Sequence, residues 1–222
     1  MFFSQNLDLK QGERVHALSK FIEENSIKGF LAEDEALALH RYASEAATIG
    51  PCLEIGSYCG LSTVFIGDAC KQTENTLYAV DHHRGSEEHQ LGEEYHDAQL
   101  YDANVGAMDS FPMFRRTLAL AKLEETVVPI VASSKVASKH WRTPLGFVFV
   151  DGGHSHESSM FDCVTWSEFI APGGFLAVHD LFEFPEEGGQ GPFLAFQQVL
   201  NSGQFEKVDQ VRSLGFLRKK SE

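Results

Sequence analysis

Cysteine and positive charge are both scarce in this chain. Its four cysteines include no Cys-x-x-Cys pair, which argues against a zinc knuckle or a redox dithiol and favours buried, reduced thiols. Only 18 Lys and Arg residues stand against 32 acidic residues, which gives a formal net charge of −14. A field of this sign repels phosphate backbones, so we expect no nucleic-acid partner.

Long apolar runs are also missing. No stretch approaches the roughly 20 apolar residues that a membrane helix needs, and residues 1–6 have neither the basic flank nor the apolar core of a signal peptide. We therefore expect no membrane partner and a cytoplasmic location. The 222 residues, 43% of them hydrophobic, suit a single globular unit, with a helical cap over residues 1–50 and the main domain over residues 51–222.

Helix and strand signals alternate along the main domain, after two cap helices predicted over residues 13–26 and 33–48. The predicted strands are 52–55, 76–80, 127–131, 147–150 and 175–178, the predicted helices are 61–71, 111–122, 135–140, 156–170 and 193–200, and a hairpin closes the chain at 205–211 and 214–218. Such alternation implies an α/β fold with a doubly wound, Rossmann-like, mostly parallel sheet of seven strands and a C-terminal antiparallel hairpin. Because ligands of these folds bind at the carboxyl ends of the strands, the residues after each strand are the candidate site.

A glycine-containing loop follows the first predicted strand. Gly56 can make a sharp turn, Gly60 allows a close approach to a ligand, and the helix that begins after it offers free N–H groups to an anion. Ser62 adds a hydroxyl at that helix start. Asp81 lies 21 residues beyond Gly60, a spacing that suits an acid binding ribose hydroxyls. Taken singly, these residues also suit a packing turn and a solvated helix cap, but together they favour an adenosyl cofactor.

The segment Leu53–Thr63 resembles the first motif of class I S-adenosylmethionine (SAM)-dependent methyltransferases, in the branch that reads Glu-Ile-Gly-x-x-x-Gly-x-Ser-Thr. The resemblance implies that residues 51–222 form a SAM-binding methyltransferase domain. In it, Ser62 would hold the SAM carboxylate and Asp81 the ribose. Relatives often carry Gly-Asp-Ser beside the adenine, where this chain has Ala132-Ser133-Ser134 without the acid. The predicted cofactor residues are Glu54, Gly56, Ser57, Tyr58, Gly60, Ser62, Asp81, His82, Ser133 and Asp151.

Acids and histidines follow the fourth and fifth strands. Asp151 and His154 come after one strand, and His179 and Asp180 after the other, so a parallel sheet would bring them together. Such a group can hold a divalent cation or supply a general base near neutral pH. Asp-Gly-Gly is also a good turn, and for His156 we favour a simple helix start. For Asp151, His154 and Asp180 together we favour a functional role.

The stretch from Phe149 through Asp180 resembles the methyltransferase-24-like family, which is related to metal-dependent O-methyltransferases of the catechol and macrocin types. The resemblance implies metal ligands at Asp151, His179 and Asp180, with His179 in the place of an acid, and Mg²⁺ or another divalent cation as a second cofactor. His154 falls where catechol-type enzymes carry a catalytic lysine. The predicted catalytic residues are His154 and Asp151.

The function predicted from these resemblances is SAM-dependent O-methylation of a small-molecule hydroxyl. An NAD-dependent oxidoreductase, a non-catalytic SAM-fold binding protein and a hydroxylase-like relative remain alternatives. Residues 82–106 form a polar, His- and acid-rich insertion, interpreted as a substrate lid, a second metal patch or a solvated loop. The N-terminal helices are a candidate homodimer surface.

Overall fold

The computed structural model describes residues 2–86 and 97–221. Two helices precede the first strand, and strands and helices then alternate to the closing hairpin. In chain order the elements are α1 (Phe2–Glu24), α2 (Glu33–Ala46), β1 (Cys52–Ile55), α3 (Leu61–Gln72), β2 (Leu77–Asp81), β3 (Tyr101–Asp102), β4 (Ala107–Met108), α4 (Phe111–Ala121), β5 (Val127–Val131), α5 (Ser134–Ala137), β6 (Leu145–Val150), α6 (His156–Ser167), β7 (Ile170–Val178), α7 (Gly191–Asn201), β8 (Phe205–Val211) and β9 (Leu214–Lys219).

Seven strands form one sheet in the order β5-β2-β1-β6-β7-β9-β8. The first five of these are parallel, β9 runs antiparallel to β7, and β8 pairs antiparallel with β9. Every residue of the central strand β6 is buried, as expected of a parallel strand covered on both faces. The fold class predicted from the sequence is therefore confirmed, including the C-terminal hairpin.

The hydrophobic core is split by the sheet into two layers. On one face, Leu39 of α2 and Phe114 of α4 pack with Phe147 and Phe149 of β6. On the other face, Trp166 of α6 and Phe196 of α7 pack with residues of the same central strands. Helices on both faces leave the carboxyl ends of β1, β2, β5, β6 and β7 at one edge of the sheet, where the candidate site lies.

The last parallel strand is longer than its predicted bounds of 175–178. It begins at Ile170, so Pro172-Gly173-Gly174, a typical turn sequence, lies inside β7. The strand accommodates them through an irregular register against β6, between Leu145 and Phe147, and through a left-handed backbone at Gly173. A glycine tolerates that conformation, so a turn signature can sit within a strand.

The two helices of the predicted cap are joined to α3 by an ionic network around one buried carboxylate. Arg14 of α1 makes two hydrogen bonds to Asp68 of α3, at 2.5 and 2.6 Å. His40 of α2 contacts the same carboxylate at 3.0 Å through Nε2. Burial alone would raise the pKa of Asp68, but the hydrogen bonds from Arg14 and His40 outweigh it and lower the pKa to about 2. One carboxylate thus joins three helices.

The insertion is only partly described. Residues 98–100 form a single turn of 3₁₀ helix, and β3 and β4 pair as a small antiparallel ribbon. The residues that prompted the lid and metal-patch interpretations, from Glu87 to His96, lie outside the described residues. Among the described residues, no helix has both the length and the apolar character that crossing a membrane requires.

Candidate functional site

Gly56 makes the turn that opens the site. Its φ is +85°, and a β-carbon there would lie 2.1 Å from the backbone oxygen of Asp151. The Asp151 amide in turn donates to the Ile55 carbonyl at 2.9 Å. Only glycine permits this approach, which brings the ends of β1 and β6 together and sets Asp151 beside the loop.

Asp81 organises the loop after β1 from the end of β2. Its Oδ2 accepts hydrogen bonds from the backbone amides of Ser57 and Tyr58, both at 2.9 Å. Its Oδ1 accepts from the amide of His83 at 2.7 Å. A carboxylate has about four acceptor positions, so one remains for a ligand hydroxyl. Asp81 therefore holds the loop as well as facing the cleft.

Glu54 lies beneath the loop and not in the cleft. It is fully buried and accepts hydrogen bonds from the hydroxyls of Ser62 and Thr63, both at 2.6 Å. Burial raises the pKa of Glu54 to about 7, although those hydroxyls lower it. The Ser62 hydroxyl is thus engaged by Glu54 instead of being directed at a ligand carboxylate. The Ser57 hydroxyl is buried beside the same carboxyl and makes no well-formed hydrogen bond within the described chain.

Asp151, His154 and Asp180 come together at the ends of β6 and β7. His154 Nε2 lies 3.0 Å from Asp180 Oδ2. One potential ligand atom from each of the three side chains lies within 4.8 Å of the other two. Burial would raise the pKa of Asp180, but hydrogen bonds from His154 and His179 hold it well below its usual range. The cluster therefore keeps an anionic Asp180 beside an imidazole that lines the cleft.

His179 lies behind this cluster, so its position does not match its predicted role as a metal ligand. It is 7% exposed, with Nδ1 at 3.2 Å from Asp151 Oδ1 and Nε2 at 3.4 Å from Glu35 Oε2. Burial would lower its pKa, but the charge of Asp151 and the surrounding hydrogen bonds raise it to about 12. Both ring nitrogens of His179 face carboxylates. His154 is therefore the third member, with Asp151 and Asp180, of the group that could hold a metal ion.

The described residues around these loops enclose an open cleft of about 1020 Å³. That is at the upper end of the range for small-molecule sites, with space for a cofactor and an acceptor. Of the residues predicted from the sequence, Glu54 and Gly60 lie outside the cleft, and Gly60 instead packs close to Phe114 and Thr117. The predicted residues that line it are Gly56, Ser57, Tyr58, Ser62, Asp81, His82, Ser133, Asp151, His154, His179 and Asp180.

Several cleft residues were not foreseen from the sequence. The connection between α1 and α2 contributes Lys28 to Leu31, and Asp162 and Phe182 come from α6 and from the loop after β7. Lys28 pairs with Asp97 of the insertion. Glu35, which faces His179, lies in no motif that would have predicted its position. Asp162 could have been suspected from the sequence, because it is an acid between Phe161 and Cys163 on a helix with an apolar face.

Three non-glycine residues with left-handed backbone lie at this site. Their φ angles are 45° at Tyr58, 57° at His83 and 55° at Asp180. Each follows the carboxyl end of a different strand. Such conformations cost of order 1–3 kcal/mol and are retained where the surrounding structure enforces them, often at binding sites.

The family comparison identifies the class of the protein. A family model described as a methyltransferase domain, methyltransferase-24, matches residues 53–181, more than half of the chain. The matched segment begins at the glycine loop and ends just after Asp180. The chain belongs to this methyltransferase family, as its motifs indicated. This membership decides against the NAD-dependent oxidoreductase that the sequence left open.

Solved structures agree on the fold. An O-methyltransferase from Streptomyces achromogenes, TomG, solved with SAM, is 13% identical with a TM-score of 0.61, covering 93% of this chain and 89% of that one. A Podospora anserina methyltransferase, PaMTH1, bound to S-adenosylhomocysteine (SAH), is 11% identical with a TM-score of 0.64, covering 92% and 88%. A Bacillus cereus O-methyltransferase with SAH is 12% identical with a TM-score of 0.59, also covering 92% and 88%.

Proposed function

We propose that this methyltransferase transfers the methyl group of SAM to a hydroxyl oxygen of a small molecule. One observation carries the proposal: the cluster of Asp151, His154 and Asp180 lines the same cleft as the glycine loop after β1. The relatives described above, solved with SAM or SAH and named in part as O-methyltransferases, support the same choice.

The glycine loop fits the cofactor by its shape and by its unused polar groups. Gly56 removes side-chain bulk where the chain passes closest to Asp151. The Ser57 hydroxyl is buried without a well-formed hydrogen bond, so a bound ligand could supply the partner for one. The start of α3 directs free N–H groups and the positive end of its dipole toward the loop, which suits a carboxylate. Asp81 keeps one acceptor position for a ribose hydroxyl.

The acid–imidazole cluster fits the chemistry of oxygen methylation. A hydroxyl is a poor nucleophile until its proton is removed, and an imidazole is suited to that at neutral pH. In the proposed reaction the hydroxyl oxygen forms a bond to the methyl carbon while the carbon–sulfur bond breaks. The sulfur keeps that electron pair, giving SAH, and His154 takes the hydroxyl proton. Asp180 orients the imidazole, and the cleft supplies much of the rate by holding both reactants in line.

A divalent cation also fits the donor set. Asp151 and Asp180 offer carboxylate oxygens and His154 a ring nitrogen, all within 4.8 Å. Two oxygens and one imidazole suit a transition metal such as Mn²⁺ better than Mg²⁺, which prefers oxygen ligands throughout. When bound there, a cation would act as a Lewis acid on a hydroxyl of the acceptor. His179, held by Glu35, would orient Asp151 from behind.

The proposal is tested with two histidines that lie two residues apart in the chain but differ in their proposed roles. His154→Ala should lower methyl transfer from labelled SAM to a panel of hydroxyl acceptors by about 100-fold or more, as expected for a lost general base or ligand. His156 is exposed at the first position of α6, so His156→Ala should retain activity. Equal activity of the two variants would contradict the role of His154.

Cofactor binding is measured separately, by thermal unfolding with SAM, SAH or NAD. We expect SAM and SAH to raise the unfolding temperature of the wild-type protein and of His154→Ala, and NAD to leave it unchanged. Binding of SAM with no transfer to any acceptor would favour the non-catalytic alternative. No stabilisation by SAM or SAH would overturn the proposed function as a whole.

We also propose a cytoplasmic location, which the reduced and buried state of all four cysteine thiols supports. We propose a small-molecule acceptor as the partner of the reaction. We also propose the division of the chain into a cap over residues 1–50 and a main domain over residues 51–222.

That the N-terminal helices form a homodimer surface stays a prediction. Sedimentation of the purified chain would test it.

A further inference from the structure

Asp162 is a buried acid that the proposed chemistry does not use. It lies on α6, is 4% exposed, and lines the cleft. Trp166, one turn further along α6, donates from Nε1 to the Ser134 hydroxyl at 2.7 Å, so α5 contacts α6 close to Asp162. Burial raises the pKa of Asp162 to about 6, although Ser134 lowers it. The carboxyl is therefore ionised above about pH 6.

The chain leaves room over this carboxyl. A β-carbon on Gly152 would lie 3.3 Å from Asp162 Oδ2, and one on Gly153 would lie 3.1 Å from Ser158 Oγ. Both glycines follow β6 and line the cleft. A larger residue at either position would crowd the approach to Asp162 or to its neighbour on α6. The acid is therefore recessed and still reachable from the cleft.

The order of the strands shows which part of the cofactor would reach Asp162. The loop after β1 lies next to β2, and β2 lies next to β5 at the edge of the sheet. A cofactor with its methionine end at Gly56 and its ribose at Asp81 extends its base toward the end of β5, where Ser133 and Ser134 begin α5. The Trp166–Ser134 contact brings α6, and with it Asp162, to the β5 side of the cleft, whereas Asp180 follows β7 on the other side.

We propose that Asp162 recognises the adenine of the cofactor by accepting a hydrogen bond from its exocyclic amino group. This inference rests on the proposed function, because it requires SAM in the cleft. It accounts for the missing acid in Ala132-Ser133-Ser134, because the carboxylate would come from α6, which contacts Ser134 through Trp166. Asp162 lies in the matched family segment, but no motif identified it. It is a specificity residue and takes no part in the chemical step.

The test compares two ligands that differ in the hydrogen-bonding groups at purine positions 6 and 1. SAH carries an amino donor at position 6 and an acceptor at N1. Its 6-oxo analogue, S-inosylhomocysteine, carries at position 6 an oxygen that a carboxylate repels, and a donor at N1. By titration calorimetry at pH 7.5, a value above the pKa of Asp162, the wild-type protein should bind SAH roughly tenfold or more tightly than the analogue. A wild-type preference below about threefold overturns the inference without needing a variant.

The variant Asp162→Asn separates recognition from folding. An amide can turn its nitrogen toward a 6-oxo group, so the preference for SAH should fall to about one or reverse. The control is Glu168→Gln, which removes a negative charge just beyond the same helix, at an exposed position, and should keep the wild-type preference. If Asp162→Asn does not fold, Asp162→Ser is measured in its place, with the same expectation of a lost preference.

The outcomes distinguish this inference from the function it depends on. Equal weakening of both ligands by Asp162→Asn, with the preference intact, would show a structural role and overturn the inference alone. A wild-type protein that binds neither ligand at millimolar concentration overturns the proposed function, and the adenine contact with it. A reversed preference in the variant supports both.

Discussion

Gly56 shows how a single missing side chain sets the geometry of the site. Its left-handed backbone is strained for other residues, and its contact with the Asp151 carbonyl leaves no room for a β-carbon. We predict that Gly56→Ala lowers the free energy of unfolding by about 2–5 kcal/mol, because a left-handed β-carbon and an overpacked contact each cost free energy. Urea unfolding gives the change in stability, and SAH titration the accompanying loss of affinity.

Gly203 provides the matched control for Gly56→Ala. Its φ is +77°, but a β-carbon there would meet nothing within 4 Å. Gly203→Ala should therefore cost only the backbone contribution, about 1 kcal/mol, with SAH affinity unchanged. A similar loss of stability in both variants would show that the approach of Asp151 to the loop is not what requires glycine at position 56.

Residue-scale contacts also show that residues of the first motif differ in what they hold. The side chains of Glu54 and Ser62 hydrogen-bond to each other beneath the loop, although Ser62 also lines the cleft. A motif records which residues recur at a position. It does not record whether a side chain faces the ligand or holds the loop that does.

At the scale of elements, α2 reaches the site through one buried acid. Glu35 accepts hydrogen bonds from the Ala32 amide at 3.1 Å and from Ser213 at 3.0 and 3.2 Å, and faces His179 at 3.4 Å. His179 in turn contacts Asp151. Burial would raise the pKa of Glu35, but the hydrogen bond with His179 helps to lower it. The N-terminal helices thus contribute to the order of the cluster after β6.

We predict that Glu35→Gln lowers kcat about 10- to 100-fold, because residues that orient a ligand or base commonly have effects of that size. SAH affinity should change little, since Glu35 does not line the cleft. Steady-state kinetics and calorimetry measure the two quantities. The control is Asp34→Asn in the same turn of α2, where the acid pairs with exposed Arg212. Equal losses in both variants would point to general damage to α2.

At the scale of the whole molecule, one ionised carboxylate links both N-terminal helices to α3. Asp68 is 6% exposed, and its pKa is lowered to about 2 by Arg14 and His40, against the effect of burial. An acid with a lowered pKa stabilises the folded state above its unfolded pKa of about 4. That stabilisation is lost as the pH falls through 2.

We predict that Asp68→Asn destabilises the protein by about 2–4 kcal/mol at pH 7, and that the difference from wild type shrinks between pH 4 and pH 2. Urea unfolding across this range measures it, and hydrogen exchange should show loss of protection in α1. Glu24→Gln, which removes an exposed pair with Lys20 on α1, is the control and should have almost no effect. A difference independent of pH would contradict the ionic explanation.

The sequence by itself determined the class of the sheet and the edge at which the candidate site lies. Unbroken apolar runs such as Phe147–Val150, set between helical patterns, leave few arrangements other than a parallel sheet covered on both faces. Residues that follow such strands must then meet at one edge, which is why Gly56, Asp81, Asp151, His154 and Asp180 could be named together before their positions were known.

The tertiary structure alone decided which of these groups bond to one another and which acids join them. His154 rather than His179 joins Asp151 and Asp180 in the group that could hold a metal ion, because His179 is enclosed between Asp151 and Glu35. Glu35 lies 144 residues from His179 in the chain, and Asp162 lies 28 residues from Ser134, so no local pattern could reveal either pairing. The physical reason is that hydrogen bonds and close ion pairs form over a few ångströms, so their partners depend on how separate elements pack. The periodicity of strands and helices, in contrast, is a property of neighbouring residues in the chain.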